Sequence, residues 1–128
     1  MPPQPLVQAF VVCREMYESP SHEFALVAPL SHMVLSEFPA TAVLCVYAHL
    51  TDARGRYAIS LRLVDDEGDV IWTAPRGPTV EQTDPLRPHR VVLHNVPIDF
   101  PRPGRYDLVL LGNGGPRAMH AIWADEPA

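Results

Sequence analysis

Two cysteines, Cys13 and Cys45, and six histidines are the side chains best suited in this chain to hold a transition metal or to act as nucleophile and base. Cys45 and His49 project from one face of a single strand, with Tyr47 between them. Residues four apart in a strand are separated by about 13 Å along it, too far to share one ion. A metal site would need ligands from neighbouring strands, with His94 and His120 as candidates, and the chain has no tight pair such as CxxC or HxH. The spacing therefore predicts no specific metal site.

Nucleophilic catalysis meets the same difficulty. Cys13, Cys45, His49 and Asp99 supply the residue types of a triad, but none falls in a nucleophile elbow or a known local signature. Asp65 and Asp66 are adjacent carboxylates in a turn ending at Gly68, where solvated turn chemistry accounts for them better than glycoside hydrolysis. All ten basic residues are arginine, which removes Schiff-base chemistry, a P-loop lysine and a lysine general base together. Asn113 to Gly115 read as a hairpin turn and not as a phosphate loop, because no helix follows. No catalytic residue and no cofactor is expected.

Charge narrows the partners. Fifteen acidic against ten basic residues give a net charge of -5, so the chain as a whole does not attract nucleic acid or an anionic membrane surface. Arg102 and Arg105 are too few for a phosphate-tracking groove. The opening "MPPQPLVQAFVVC" has no basic leading region, Gln8 interrupts its apolar run, and no small-residue cleavage site follows. No stretch approaches the length of a membrane span. The expected location is the cytoplasm, with both cysteines as buried thiols in a reducing compartment.

The elements that must position these residues are strands. The composition, 47% hydrophobic and 20% charged, is that of one globular domain covering residues 1–128. Period-2 runs separated by turn signals recur along the chain, without a heptad or 3.6-residue pattern. In "YAISLRLVD", Tyr57, Ile59, Leu61 and Leu63 line one face, with Ser60 and Arg62 on the other. The run from Val43 through Trp72 reads as a three-stranded antiparallel meander, "EMYESP" as one helical turn, and "TAPRGPTVEQTDPLRPH" as a long irregular connection. Eight or nine short strands at this spacing predict an all-β, two-sheet antiparallel β-sandwich of immunoglobulin-like or Greek-key type.

Within "FPRPGRYDLVLLGNG", Pro101 and Pro103 stiffen an approach, Gly104 permits a turn and Tyr106 begins a strand. Pro103, Gly104 and Tyr106 are the elements of a structural corner, in which the tyrosine ring is buried and its hydroxyl returns to the backbone upstream. The stretch resembles the last strands of blue-copper proteins, where a cysteine ligand follows the tyrosine by four residues. Leu110 stands there, so the likeness is confined to the fold.

Three stretches carry a broader resemblance: "LVQAFVVC", "EFPATAVLCVYAHLTDARGRYAISLRLVDDEGDVI" and "VPIDFPRPGRYDLVLLGNG". Together they resemble an uncharacterised bacterial family, a domain of unknown function. That family often has acidic residues after the first cysteine and a glycine before the second strand, where this chain has Arg14 and "SPSHEF". The resemblance implies a β-sandwich with no established activity, and so no catalytic residue to carry over.

Surplus apolar surface points to association. In "TAVLCVYAHL" one face carries Val43, Cys45, Tyr47 and His49 and the other Ala42, Leu44, Val46, Ala48 and Leu50; in "RYDLVLLG" the second face carries Val109 and Leu111. A sheet with one wet face alternates more cleanly. The aliphatic set suits the interior, and Val43, Cys45, Tyr47 and His49 suit an interface with a second copy in a two-fold dimer. A covering loop from Pro78 to Pro88 would serve the same need. The expected role is a non-enzymatic domain acting through protein contact or self-association. The alternatives are a small-ligand or carbohydrate-binding module, for which Trp72 and Trp123 would have to be exposed, and a cryptic enzyme.

Overall fold

Alternating apolar residues leave this chain one way to bury its side chains, as sheets laid against each other. The computed structural model describes residues 6–51, 55–74, 79–82 and 89–128. Ten strands follow in order: β1 (Leu6–Glu18), β2 (Phe24–Pro29), β3 (His32–Val34), β4 (Ala40–Thr51), β5 (Gly55–Asp65), β6 (Val70–Thr73), β7 (Thr79–Gln82), β8 (His89–Phe100), β9 (Gly104–Gly112) and β10 (Gly115–Asp125). No helix occurs among the described residues. One open sheet has the order β2-β1-β4-β8; the other has the order β3-β10-β9-β5-β6, with β7 also paired to β5.

Both sheets contribute to a single core. Leu44, Val46 and Leu50 of β4 and Ile98 and Phe100 of β8 come from the first sheet; Tyr57, Leu61 and Leu63 of β5, Leu108 and Leu110 of β9 and Ile122 of β10 come from the second. The arrangement fits a β-sandwich. Full burial of one such aliphatic side chain is worth about 1.5–3 kcal/mol, so the shared core dominates the stability of the fold. Ser60 and Arg62 turn away from it while Ile59, Leu61 and Leu63 are buried, as their alternation predicts.

Four sequence expectations need correction. The strands number ten, because β3 and β7, at three and four residues, are too short to show a period. The β3–β10 pair is parallel, so the sheets are not wholly antiparallel. The meander does not form: β4 is flanked by β1 and β8 in one sheet, while β5 pairs β6, β7 and β9 in the other. The apolar faces of β4 and β5 enter the shared core from opposite sheets. Glu15 to Glu18 of "EMYESP" extend β1 and form no helical turn. Of the long connection, residues 79–82 form β7, and residues 75–78 and 83–88 lie outside the described residues. The expected turn at residues 52–54 and the start of the chain at residues 1–5 also lie outside them.

Turn chemistry closes the remaining hairpins. Asn113 and Gly114 take φ of 51° and 81°, the two left-handed positions of a tight turn between β9 and β10. The Asn113 side chain also accepts from the N–H of Ala58 at 2.9 Å, tying this turn to β5.

Candidate functional site

β4 separates its two sets of side chains by burial. Ala42, Leu44, Val46, Ala48 and Leu50 enter the shared core, which leaves Val43, Cys45, Tyr47 and His49 on the outer face of the four-stranded sheet. That face is not open along its length. β1 pairs β4 only as far as Cys13 and from there pairs β2, so that Cys13 to Pro29 form a hairpin turned over the outside of the sheet. Met16 and Leu26 on its underside pack on Cys45, Tyr47 and Val92. The Phe24 ring lies 5.9 Å from that of Tyr47, with the Arg90 guanidinium 5.1 Å from the Phe24 ring centre on its other contact. Arg90 also donates to the carbonyl of His22 at 2.8 Å, fastening the hairpin tip to β8. Cys45 is buried and Tyr47 and His49 are partly buried; Val43, 53% exposed, lies beyond the hairpin.

Beneath this cover the fold brings the two thiols together. Cys13 and Cys45 are direct partners across β1 and β4, both buried and both free. Pro29 has no N–H, and the N–H of Leu30 donates to the carbonyl of Val12, so the backbone groups of Cys13 itself point toward β4. Its Sγ donates to the carbonyl of Glu15 at 3.3 Å. Burial, and then the neighbouring Cys45, push the Cys13 thiol above its ordinary pKa of 9.0 and keep it protonated. Met16 completes a packed cluster with the two cysteines. A hollow of about 250 Å³, lined by Met16, Cys45, Tyr17 and His94 among others, leads to it from solvent.

The other candidate ligands go elsewhere. His49 stands on the outer face opposite Ala9 and Arg90, and His120 faces the opposite sheet's inner side, hydrogen-bonded to the carbonyl of Leu30 and edge-on to Phe10. Asp99 accepts from the Thr41 hydroxyl at 2.7 Å on the neighbouring strand. The thiols were the part of this site that spacing hid: nothing local in the sequence couples Cys13 to Cys45, which meet only through the β1–β4 register.

At the far end of β9, Tyr106 is buried against Phe100, and its hydroxyl donates to the carbonyl of Arg102 and accepts from the N–H of the same residue. Pro103 and Gly104, the latter at φ 148°, carry the chain through the bend between them. The Arg102 guanidinium reaches Asp65 at 2.9 Å. Asp65, in turn, accepts from the N–H groups of Glu67 at 3.0 Å and Asp69 at 2.9 Å. Asp65, Glu67 and Asp69 bring carboxylate oxygens within 4.8 Å of one another, and the Asp65 carboxylate already accepts from two backbone N–H groups and the Arg102 guanidinium.

A family model described as a family of unknown function, DUF6941, matches residues 8–122. The chain belongs to DUF6941. No curated protein and no solved structure matches it.

The DUF6941 span includes the dithiol, the hairpin over it and the corner at Tyr106. It also includes most of a second surface, the outer face of the six-stranded sheet. Along β10, Met119, Ala121 and Trp123 share that face, opposite Val109, Asp107 and Arg105 of β9. Met119 is 68% exposed and Trp123 50% exposed, whereas Val109, between Met119 and Arg62, is buried. Trp72, by contrast, packs partly buried against the core. His32 pairs with Asp125 at 2.6 Å on one flank of the stripe, and Arg105 with Asp107 at 3.3 Å on the other.

Proposed function

We propose that this is a non-enzymatic interaction domain that acts through protein contact with a second copy of itself, as a two-fold dimer joined through the outer face of the six-stranded sheet. The observation that carries this reading is the stripe of Met119, Ala121 and Trp123. At Trp123 β10 lies between β3 and β9, so that side chain stands on the sheet's surface, and Met119 continues the same face along β10 where it pairs β9. A flat apolar stripe of this kind is what an interface core presents, with a polar rim around it. The rim is polar on both flanks, with His32 bonded to Asp125 on one and the Arg105–Asp107 ion pair on the other, and a rim offering donors and acceptors together can be self-complementary under two-fold symmetry.

This reading moves the contact from the face of Val43, Cys45, Tyr47 and His49, where the hairpin already covers Cys45, to the opposite sheet. It also favours a protein over a sugar or small ligand. Trp123 stacks with no second ring among the described residues, so no coplanar aromatic platform for a sugar stands beside it. The chain crosses between sheets after β2, β3, β4, β7 and β8, a connectivity we read as immunoglobulin-like in the Greek-key manner. Two facing free thiols suit a reducing bacterial cytoplasm.

Light scattering at micromolar concentration tests the dimer. The expected result is a dimer that Trp123→Glu converts to monomer with its denaturant midpoint unchanged. A wild-type monomer across that range, or a Trp123→Glu protein that remains dimeric, overturns the assignment.

A further inference from the structure

We propose that Cys13, Cys45 and Met16 form a site for a monovalent thiophilic metal ion, copper(I), between the four-stranded sheet and the hairpin that covers it. Three observations meet at this point. The two cysteines are direct partners across β1 and β4, and Met16 packs with them in one buried cluster. The pair is of the hydrogen-bonded kind, because the backbone of Cys13 faces β4 while its pairing with Pro29 is the other kind. Cβ atoms in such pairs stand toward the wider end of about 4.5–5.5 Å, beyond the roughly 3.8 Å that a relaxed disulfide needs. An ion between the sulfurs spans that gap with no change of backbone.

The donor set selects the metal. Two thiols and a thioether are soft ligands, and soft ligands hold copper(I). Zinc would require four ligands closed around it. Among the described residues, the only group of three His, Cys, Asp or Glu ligand atoms within 4.8 Å is the one at Asp65, so no nitrogen or oxygen ligand stands ready to complete a zinc tetrahedron on Cys13 and Cys45. The surroundings agree: Leu26, Tyr47 and Val92 enclose the cluster in apolar surface, where a low net charge is favoured. Copper(I) bound with loss of one thiol proton leaves the site neutral. The hollow lined by Met16 and Cys45 gives an entry path, and the hairpin covers the rest of the cluster.

The test is anaerobic titration of the reduced full chain with copper(I) supplied as its bicinchoninate complex, a chromophore that bleaches as the protein withdraws the metal. One equivalent should be withdrawn, and Cys13→Ser or Cys45→Ser should abolish the withdrawal. Met16→Leu conserves volume and keeps the packing. It should weaken binding on the order of tenfold or more, since even residues that only orient a ligand cost that much. Thermal unfolding of each variant without metal confirms that it is folded, and the wild-type transition should rise when copper(I) is added. No withdrawal from the chelator, zinc held as tightly as copper(I), or Met16→Leu binding like the wild type overturns the site. Ready closure of the two thiols to an intramolecular disulfide by glutathione disulfide, without copper binding, overturns it in favour of a redox pair.

Discussion

Asp65 and Tyr106 stand opposite one another on β5 and β9, and a single residue, Arg102, holds them both. The backbone of Arg102 bonds the Tyr106 hydroxyl in both directions, and its guanidinium bonds the Asp65 carboxylate. The turn between β5 and β6 is thereby tied to the bend between β8 and β9.

Tyr106→Phe removes the hydroxyl and keeps the ring against Phe100. The N–H and carbonyl of Arg102 then lose this partner, and the loss should be about 0.5–1.5 kcal/mol, the net value of one hydrogen bond. The denaturant midpoint measures it. An unchanged midpoint would mean that the hydroxyl does not hold the bend.

Asp65→Asn should make stability depend less on acid. The N–H of Asp69 above all, and then those of Glu67 and the Arg102 guanidinium, hold the Asp65 carboxyl below its ordinary 3.8 against the opposing effect of burial. A carboxyl lowered by folding contributes stability that is fully present above the ordinary pKa and is lost as pH falls through the lowered one. The wild type should therefore be the more stable at neutral pH, with the difference from Asp65→Asn narrowing in acid. Unfolding midpoints of the two proteins across that range decide the point, and parallel curves would contradict it.

Gly114→Ala isolates a backbone cost. At φ 81° a side chain is strained, yet a Cβ there would meet no atom within 4 Å, so no clash contributes. A loss of about 1–2 kcal/mol is expected from the left-handed conformation alone. Equal stability in chemical denaturation would mean that the β9–β10 turn relaxes to another type.

Tyr47→Glu separates the covered face from the open one. A carboxylate at this position would lie under Phe24 beside the buried Cys45, so the hairpin should loosen at a cost of about 1–3 kcal/mol, the range for a polar group left without a partner. Amide exchange in β2 should accelerate while the oligomeric state stays as in the wild type. Conversion to monomer by Tyr47→Glu would place the dimer contact on β4 after all.

How much of this was legible in the sequence follows from range. The period-2 pattern of β4, β5 and β9 is local, so it assigned strands and separated core from outer faces: Leu44, Val46 and Leu50 are in the core, as are Tyr57, Leu61 and Leu63. Turn residues act locally too, and Asn113, Gly114, Gly68 and the bend before Tyr106 were readable for that reason. The family resemblance rested on such local stretches, and the match over residues 8–122 bears it out.

Pairing is not local, and there the sequence alone was silent or misleading. Strands adjacent in sequence tend to pair, but β4 and β5 went to different sheets, and each brings its apolar face to the core that the two sheets share. The cover over Cys45 came from residues before it in the chain, since β1 leaves β4 at Cys13 and folds back with β2, while most of the connection from Pro78 to Pro88 lies outside the described residues. The meeting of Cys13, Cys45 and Met16 depends on that register, and so on contacts that composition and spacing do not encode. Residue chemistry was set by the chain, but which residues share a site was decided by the tertiary structure, because long-range burial selects among pairings that local propensity leaves equal.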